Sequence, residues 1–324
     1  METLELGGSG IAVSHVILGC GNFGGVGSAP EFFGRGIAKD EAFRIMEAAW
    51  ELGITTFDTA DAYGGGRSET FIGEWLKTKG GAVRDAIVLE TKTFNPNEAG
   101  ADRGLSRARI LRQIDVSLGR LGLERVPLYV AHEFDADVPQ EETLGAFDEL
   151  VRAGKVGAVG ASNFDAGQLA EALRISEQES LTRYEWAQRS FSLLDAGDAS
   201  TVFPVCRDNG LGYEAYGPLA GGWLTGKYRR GSAYPEGSRM TQRPASYEKY
   251  ASDRVFDALE AFEREALERG ISMAGLATAW LLGEPGVTAV IVGPTRAEHL
   301  DPVREAQSLE LTPEERAHLR GLFG

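Results

Sequence analysis

The chain has 324 residues, of which 48 are acidic and 33 basic, giving a formal net charge of −15 at pH 7. So acidic a protein is neither a general nucleic-acid coat nor a protein that sits on anionic membranes, and we expect no nucleic-acid or membrane partner. With 43 % hydrophobic, 9 % aromatic and 25 % charged residues, the composition is that of a globular protein able to bury a sizeable core.

Two cysteines are too few for a disulfide framework, and the four histidines lack the short spacing of metal sites. The N-terminus has neither a basic segment nor an apolar segment of the secretory kind. No stretch of about 18 apolar residues follows. We therefore expect a cytoplasmic protein without a bound metal. The sequence does not indicate an oligomeric state.

The first predicted element is a β-hairpin over Leu4–Val13, with Gly-Gly-Ser-Gly near its middle. Short apolar runs then alternate with amphipathic helical stretches, which is typical of a parallel sheet with crossover helices. Eight such units predict an α/β fold, a (β/α)₈ TIM barrel, with one domain over residues 1–324 and the hairpin closing its bottom. The predicted strands are His15–Leu18, Ile54–Asp58, Ala86–Glu90, Leu128–His132, Val156–Gly160, Tyr184–Ala187, Leu211–Tyr216 and Val287–Val292.

Two connections are too long to be simple turns, Gly19–Lys39 after the first barrel strand and Gly217–Asp253 after the seventh. Both follow the carboxyl end of a strand. In a barrel this places them on the catalytic C-terminal face, where long loops act as lids or ligand clamps.

The segment Gly19–Gly24 has the G-x-G-x-x-G spacing of a dinucleotide-binding loop and follows a predicted strand. That motif works by leading directly into a helix whose N-terminus holds the pyrophosphate. Here no helical period begins before about Asp40. We therefore interpret it as a flexible glycine loop and not as a Rossmann fingerprint.

Four ionisable side chains follow or end three successive predicted strands. Asp58 and Tyr63 come from the second, Lys92 from the third and His132 from the fourth. A lone lysine or histidine at a strand end is more often a structural hydrogen-bonding group. Four in consecutive units converge at one barrel mouth and predict an active site.

The residues of this predicted site resemble the aldo-keto reductases, in particular the bacterial and channel-β-subunit-like branch. Gly53–Gly64 resembles the signature of the family's second strand, and Lys92 and His132 fall where its catalytic lysine and histidine fall. Further matching segments are Gly160–Phe164, Tyr216–Tyr228 and Gly293–Arg296, so the likeness extends over nearly the whole chain. The resemblance implies reduction of aldehydes or ketones to alcohols with NADP(H).

The chemistry of carbonyl reduction fits these residue types. Hydride addition needs a proton for the developing alkoxide, which Tyr63 would supply as general acid. Lys92 would lower the pKa of the phenol from about 10 toward neutrality, and Asp58 would keep Lys92 charged. His132 would orient the substrate carbonyl and share the oxyanion.

The resemblance also implies a cofactor stretched across the barrel mouth, with Arg296 on the 2′-phosphate. For Arg296 and Arg239 the alternative is a solvated surface arginine. The implied cofactor contacts are Gly21, Asn22, Phe23, Asp58, Ser162, Asn163, Gln188, Tyr216, Gly217, Pro218, Leu219, Thr225, Lys227, Arg239, Gly293, Thr295, Arg296 and His299.

The chain departs from the family pattern at two places. Beside the adenine it has His299, Pro302 and Val303, which leaves the strength of the preference for NADPH over NADH open. Asn22 and Phe23 stand where relatives often have threonine and tryptophan, so we expect a reshaped substrate wall. The apolar side chains predicted to form the substrate pocket are Phe23, Phe32, Phe33, Phe94 and Phe134.

Two other functions remain open at this point. One is a cofactor-binding regulatory or redox-sensing subunit with slow turnover, which would retain the same four residues. The other is a lyase that forms a Schiff base through Lys92. The sequence names neither the physiological carbonyl nor the preferred direction of the reaction.

Overall fold

A computed structural model describes residues 1–324 and shows a closed barrel of eight parallel strands, β3 to β10, in chain order around the barrel. The predicted (β/α)₈ architecture is therefore confirmed. The strands are β1 (Thr3–Glu5), β2 (Ala12–Ser14), β3 (Val16–Gly19), β4 (Thr56–Asp58), β5 (Val88–Thr93), β6 (Val126–Ala131), β7 (Val156–Ser162), β8 (Tyr184–Ser190), β9 (Gly212–Tyr216) and β10 (Ala289–Val292).

Helices surround the barrel. The helices are α1 (Lys39–Glu51), α2 (Arg67–Lys77), α3 (Gly81–Ala86), α4 (Arg107–Leu121), α5 (Gln140–Arg152), α6 (Ala166–Glu179), α7 (Val202–Asn209), α8 (Arg239–Gln242), α9 (Asp253–Glu268), α10 (Met273–Leu282), α11 (Asp301–Gln307) and α12 (Pro313–Gly321). None of them is long and apolar enough to cross a membrane. The longer amphipathic helices, such as α1, α4 and α5, pack through an apolar stripe, whereas α10 is buried on all sides.

Several strands run further toward the mouth than predicted. β5 ends at Thr93 instead of Glu90, β7 at Ser162 and β8 at Ser190. Ala86, predicted to begin a strand, ends helix α3 instead. The added strand residues are largely polar, so hydrophobic periodicity does not reveal them.

The N-terminal hairpin lies at the bottom of the barrel. β1 and β2 pair antiparallel, and Leu6 and Val13 are fully buried in one cluster with inward-facing residues of the barrel strands. Inside that cluster, Trp186 fills space that Gly160 leaves open, because a Cβ at residue 160 would lie 2.3 Å from the indole ring. The barrel interior is thus a packed core below the mouth.

The two long loops meet across the mouth at the opposite end. Arg239 donates to Asn22 Oδ1 over 2.7 Å, which joins the loop after β9 to the loop after β3. Lys249 binds Asp195 at 3.1 Å and ties the same loop to the segment after β8. Both loops therefore border whatever binds at the mouth. No helix begins directly after Gly24, in keeping with the rejection of a Rossmann fingerprint.

Candidate active site

Asp58 and Lys92 form a buried ion pair at the carboxyl ends of β4 and β5. The Lys92 ammonium donates to Asp58 Oδ2 and, over 2.9 Å, to the carbonyl oxygen of Thr59. Lys92 has no exposed surface and Asp58 is buried. Asp58 pairs with Glu90, so Lys92, two residues further along β5, lies on the same face of the sheet one position nearer the mouth, within reach of the carboxylate.

Tyr63 lies in the turn that follows β4, with its ring beside both Lys92 and His132. The Lys92 ammonium is 5.1 Å from the centroid of the phenol ring. Tyr63 Oη lies 3.4 Å from His132 Nε2, and the two rings meet edge to face at 79°. The structure therefore brings together all four side chains that the sequence singles out.

The electrostatics of the site correct one expectation. Burial raises the pKa of Tyr63 above its ordinary value, and Lys92 opposes this rise without reversing it. The predicted shift of the phenol pKa toward neutrality is therefore wrong for this structure: desolvation of the phenolate outweighs the attraction of the ammonium. The phenol stays protonated at neutral pH, as a proton donor must.

Lys92 is charged at neutral pH, whereas His132 is neutral. Burial alone would lower the pKa of Lys92, but Asp58, Tyr63 and Glu90 raise it above its ordinary value, so the ammonium is permanent. Burial, and then the nearby Lys92, lower the pKa of His132 well below its usual range. The site thus contains one fixed cation and one neutral imidazole.

Asn95 is a neighbour of His132 that sequence reasoning missed. Its Nδ2 lies 3.5 Å from His132 Nδ1, at the long end of hydrogen-bonding range. With Nδ1 accepting from the amide, the imidazole carries its hydrogen on Nε2, toward Tyr63. Arg109 of α4 holds Asn95 by donating to its carbonyl oxygen over 2.6 Å and to Thr93 Oγ1 over 2.6 Å.

A second arginine of α4 supports the turn that carries Tyr63. Arg120 Nη1 donates to the carbonyl oxygen of Asp61 over 2.8 Å and to Glu69 Oε2 over 3.0 Å. Glu69 is fully buried and also accepts from Thr91 Oγ1 over 2.6 Å. These contacts fix the turn between β4 and α2 against the outside of β5.

Gln188 lies inside the barrel mouth with its amide in a fixed orientation. Its Nε2 lies within hydrogen-bonding distance of three carboxyl groups, Asp58 Oδ2 at 3.0 Å, Glu214 Oε2 at 2.9 Å and Glu90 Oε1, which share its two hydrogens. Because carboxyl oxygens accept hydrogen bonds, the NH₂ group of the amide must face them. The amide oxygen Oε1 therefore points away from the three carboxyl groups. Sequence reasoning missed Glu90, which follows the apolar Val88 and Leu89, and Glu214, which lies between Tyr213 and Ala215.

Ser162, Asn163 and Tyr216 form a polar edge beside Gln188. Asn163 has a left-handed backbone, with φ of 62°, and donates to the carbonyl oxygen of His132 over 2.9 Å. Its Oδ1 accepts from Tyr216 Oη over 2.7 Å. Burial raises the pKa of Tyr216 to about 12, so this hydroxyl remains a donor.

Basic side chains gather where the loops after β9 and β10 approach one another. Lys227, Arg296 and His299 are close enough that both cations lower the pKa of His299, after burial has done so. Burial and Arg239 lower the pKa of Lys227. No carboxylate forms an ion pair with Lys227 or Arg239, and Arg296 has only Glu298 at 3.9 Å. Thr295 Oγ1 lies 3.1 Å from His299 Nδ1.

The remaining predicted contacts of a cofactor lie on the same rim. Pro218 is buried, Gly217, Leu219 and Thr225 are half-buried, and Gly293 is exposed beside Asn22. Gly21 lies against Tyr63, because a Cβ at residue 21 would be 3.5 Å from the phenol ring. Gln188 is buried at the mouth, and Tyr63 is half-buried.

The five predicted pocket aromatics do not form one group. Phe23 is fully buried in the main core and presents no surface to a ligand in this structure. Phe134 packs edge to face on Phe164 at 5.5 Å, and Phe94 packs on the core. Phe33 lies beside Gly65 in the turn after Tyr63, and Phe32 lies 6.0 Å from the Arg243 guanidinium.

The fold and the site define a (β/α)₈ barrel with a cluster of ionisable side chains at the carboxyl ends of its strands, the end at which barrel enzymes have their active sites. Comparison with known proteins then identifies the family. The family model "Aldo/keto reductase family" matches residues 15–322. The chain belongs to the aldo/keto reductase family and is an oxidoreductase related to carbonyl-reducing enzymes.

Three relatives illustrate the range of that family. The uncharacterized oxidoreductase YrpG of Bacillus subtilis is 36 % identical, covering all of this chain and 96 % of its own. The L-glyceraldehyde 3-phosphate reductase of Escherichia coli O157:H7 is 34 % identical, over 89 % of this chain and 85 % of its own. A probable voltage-gated potassium channel subunit beta of Oryza sativa subsp. japonica is 30 % identical, over 97 % of this chain and 92 % of its own.

Proposed function

We propose that the protein reduces aldehydes or ketones to alcohols with NADPH, with Tyr63 as the general acid. The observation that carries the proposal is the convergence of a protonated phenol, a fixed ammonium and a neutral imidazole in one partly open site. A bound nicotinamide dinucleotide supplies the hydride. The chain's own residues supply the proton, its stabilisation and the orientation of the carbonyl.

The residues at the mouth fit a phosphorylated dinucleotide. Although the protein has a net charge of −15, three cations at the mouth lack a strong carboxylate partner: Lys227, Arg239 and Arg296. A bound anion would offset their burial and their mutual repulsion. At the other end of the mouth, Gln188 presents Oε1 as an acceptor, which suits a carboxamide NH₂ group. Tyr216 is half-buried between these two regions.

In the proposed reaction Tyr63 donates its proton to the carbonyl oxygen as negative charge develops there. The phenolate that remains is stabilised by the Lys92 ammonium, which Asp58 keeps charged and aimed. His132, neutral and with its Nε2 near Tyr63 Oη, donates a hydrogen bond to the same oxygen. Both donors are thus in place before the substrate binds.

The first test measures oxidation of NADPH, with NADH in parallel, by purified protein given a panel of aromatic, aliphatic and phosphorylated aldehydes and ketones. Turnover with NADPH preferred is the expected outcome. Tight NADPH binding without reduction of any carbonyl would instead support a regulatory subunit with slow turnover, and the search would then move to protein partners.

The second test assigns the proton donor. Tyr63→Phe should lower turnover by a factor of about 10²–10⁴ while leaving the NADPH dissociation constant near that of the wild type. Lys92→Met should have a similar effect. Wild-type turnover by Tyr63→Phe would show that another group donates the proton, and trapping of substrate on Lys92 by borohydride would instead indicate Schiff-base chemistry.

A further inference from the structure

Two buried glutamates lie inside the barrel below the amide of Gln188. Glu90 is on β5 and Glu214 on β9, and neither has any exposed surface. Both accept a hydrogen bond from the same nitrogen, Gln188 Nε2, so the two carboxyl groups converge on one point. The Tyr63–Lys92 mechanism uses neither of them.

The hydrogen bonds around the pair leave two carboxyl oxygens without a donor. Glu90 Oε2 and Glu214 Oε1 are buried and have no partner. Two ionised carboxylates this close, with two unpartnered oxygens and no water access, would carry a large desolvation and repulsion cost. A proton on at least one of the carboxyls supplies a donor and removes that cost.

The surrounding charges do not neutralise the pair. Asp58 lies on the neighbouring strand and adds negative charge, while Lys92 already binds Asp58 and Thr59. Cys20, Tyr63 and His132 are the other titratable groups near the ion pair, and all three are uncharged at neutral pH. The residues that strands β6, β7 and β10 turn to the interior carry no charge: Val130, Ala158 and Ile291 are apolar, and Ser162 is neutral.

The titration of the pair follows from this setting. Burial raises the pKa of Glu214 to about 7 and that of Glu90 well above its ordinary value, with Glu214 and Asp58 raising it further. Because the groups interact, the protons leave in two steps that belong to the pair. Near neutral pH the pair therefore changes between two protons and one.

We infer that Glu90 and Glu214 form a proton-exchanging pair beneath Gln188, which releases one proton to the solvent when the oxidised form of the cofactor is bound above that amide. The inference rests on the proposed function, since it places the carboxamide on Gln188. The pair keeps its charge low under the neutral reduced ring. Under the cationic oxidised ring it becomes an anion that stabilises the positive charge.

The direction of the pH dependence follows from linkage between the two binding events. A positive charge beside the pair favours its anionic form, so NADP⁺ binding releases a proton and strengthens as pH rises. NADPH brings no charge to the ring and gains nothing from this release. The ratio of the NADP⁺ to the NADPH dissociation constant should therefore fall by roughly two- to tenfold per pH unit around neutrality.

Titration calorimetry of the intact protein with NADP⁺ and with NADPH, in two buffers of different ionisation enthalpy, counts the protons exchanged. We expect release of up to one proton with NADP⁺ and less with NADPH. Release should persist in Tyr63→Phe, which excludes the phenol as its source. Equal proton exchange for both cofactor forms would overturn the inference, whereas failure of both to bind would instead overturn the proposed function.

The double variant Glu90→Gln/Glu214→Gln should lose this difference in proton release and the pH dependence of the ratio. Glu185→Gln is the matched control, since Glu185 lies near the start of β8, away from the mouth and from Gln188. Infrared difference spectroscopy of the wild type gives a readout that needs no variant. NADP⁺ should reduce the carbonyl-stretch band of a protonated carboxylic acid, and an unchanged band would contradict the inference.

Discussion

Arg296, at the rim after β10, is the residue on which the proposed preference for NADPH depends. Arg296 is 66 % exposed, and its single acidic neighbour, Glu298, is 3.9 Å away. An exposed pair at that distance contributes little, so the guanidinium remains available to an incoming anion. Lys227 lies close by, and the two cations form a positive region beside a neutral His299 on an acidic protein.

Arg296→Ala should weaken NADPH about ten- to hundredfold and leave NADH nearly unchanged, because a charge-assisted bond to the 2′-phosphate is lost only with NADPH. Fluorescence titration with the two cofactors measures this. Arg304→Ala is the control, since Arg304 is a nearby exposed arginine already paired with Asp301 at 2.6 Å. Equal losses for both cofactors would show that Arg296 does not contact the 2′-phosphate.

Among elements, helix α4 has a role beyond covering the barrel. Its first turn provides Arg109, which holds the loop with Asn95, and its last turn provides Arg120, which holds the turn with Tyr63. One rigid helix thus fixes two loops that carry the acid and the orienting amide. The turn itself needs glycine at residue 66, where φ is 85° and a Cβ would lie 2.2 Å from Arg120 Cζ.

Gly66→Ala should therefore lower both stability and kcat, because the side chain displaces Arg120 and with it the turn that positions Tyr63. Gly100→Ala is the matched control. Its φ is 81°, but no atom lies within 4 Å of the added Cβ, so only backbone strain of roughly 1–2 kcal/mol is expected. Thermal unfolding and steady-state kinetics compare the two. Similar kinetics for both variants would argue against the role of Arg120.

The elements also show how far the sequence can predict the structure. Alternation of apolar runs and amphipathic stretches identifies all eight barrel strands, because strand interiors such as Val16–Leu18 are buried on both faces. It misses the last residues of β5, β7 and β8, such as Lys92 and Gln188, because side chains that point into the mouth are polar. The error in strand ends therefore falls at the candidate site.

The site itself is predictable only in part, for a related reason. Motifs that follow strand ends reveal Asp58, Tyr63, Lys92 and His132. Side chains that reach the site from other elements, such as Arg109 of α4, leave no local pattern in the sequence. Glu90 and Glu214 did leave a signal, a glutamate at an inward position of a predicted strand, which sequence reasoning did not use.

On the scale of the whole molecule, the two ends of the barrel serve different purposes. The mouth contains the long loops, cations without a carboxylate partner and the buried Asp58–Lys92 ion pair. Such groups suit the binding of a ligand and add little to the stability of the fold. The bottom has the hairpin, whose residues Leu6 and Val13 complete the apolar cluster of the interior. Substitutions at the two ends should therefore separate stability from catalysis.

Leu6→Ala should lower the free energy of unfolding by about 2–4 kcal/mol, because it opens a cavity in a fully buried cluster at the bottom of the barrel. At 25 °C kcat and KM should stay near their wild-type values, since the cavity lies away from Tyr63 and Gln188. Leu267→Ala serves as the control: Leu267 is 71 % exposed on α9, and its truncation should change the free energy of unfolding by no more than about 0.5 kcal/mol. Denaturant unfolding and steady-state kinetics on both variants test the separation. A loss of kcat in Leu6→Ala larger than its unfolded fraction explains would mean that the hairpin and the mouth are coupled through the barrel core.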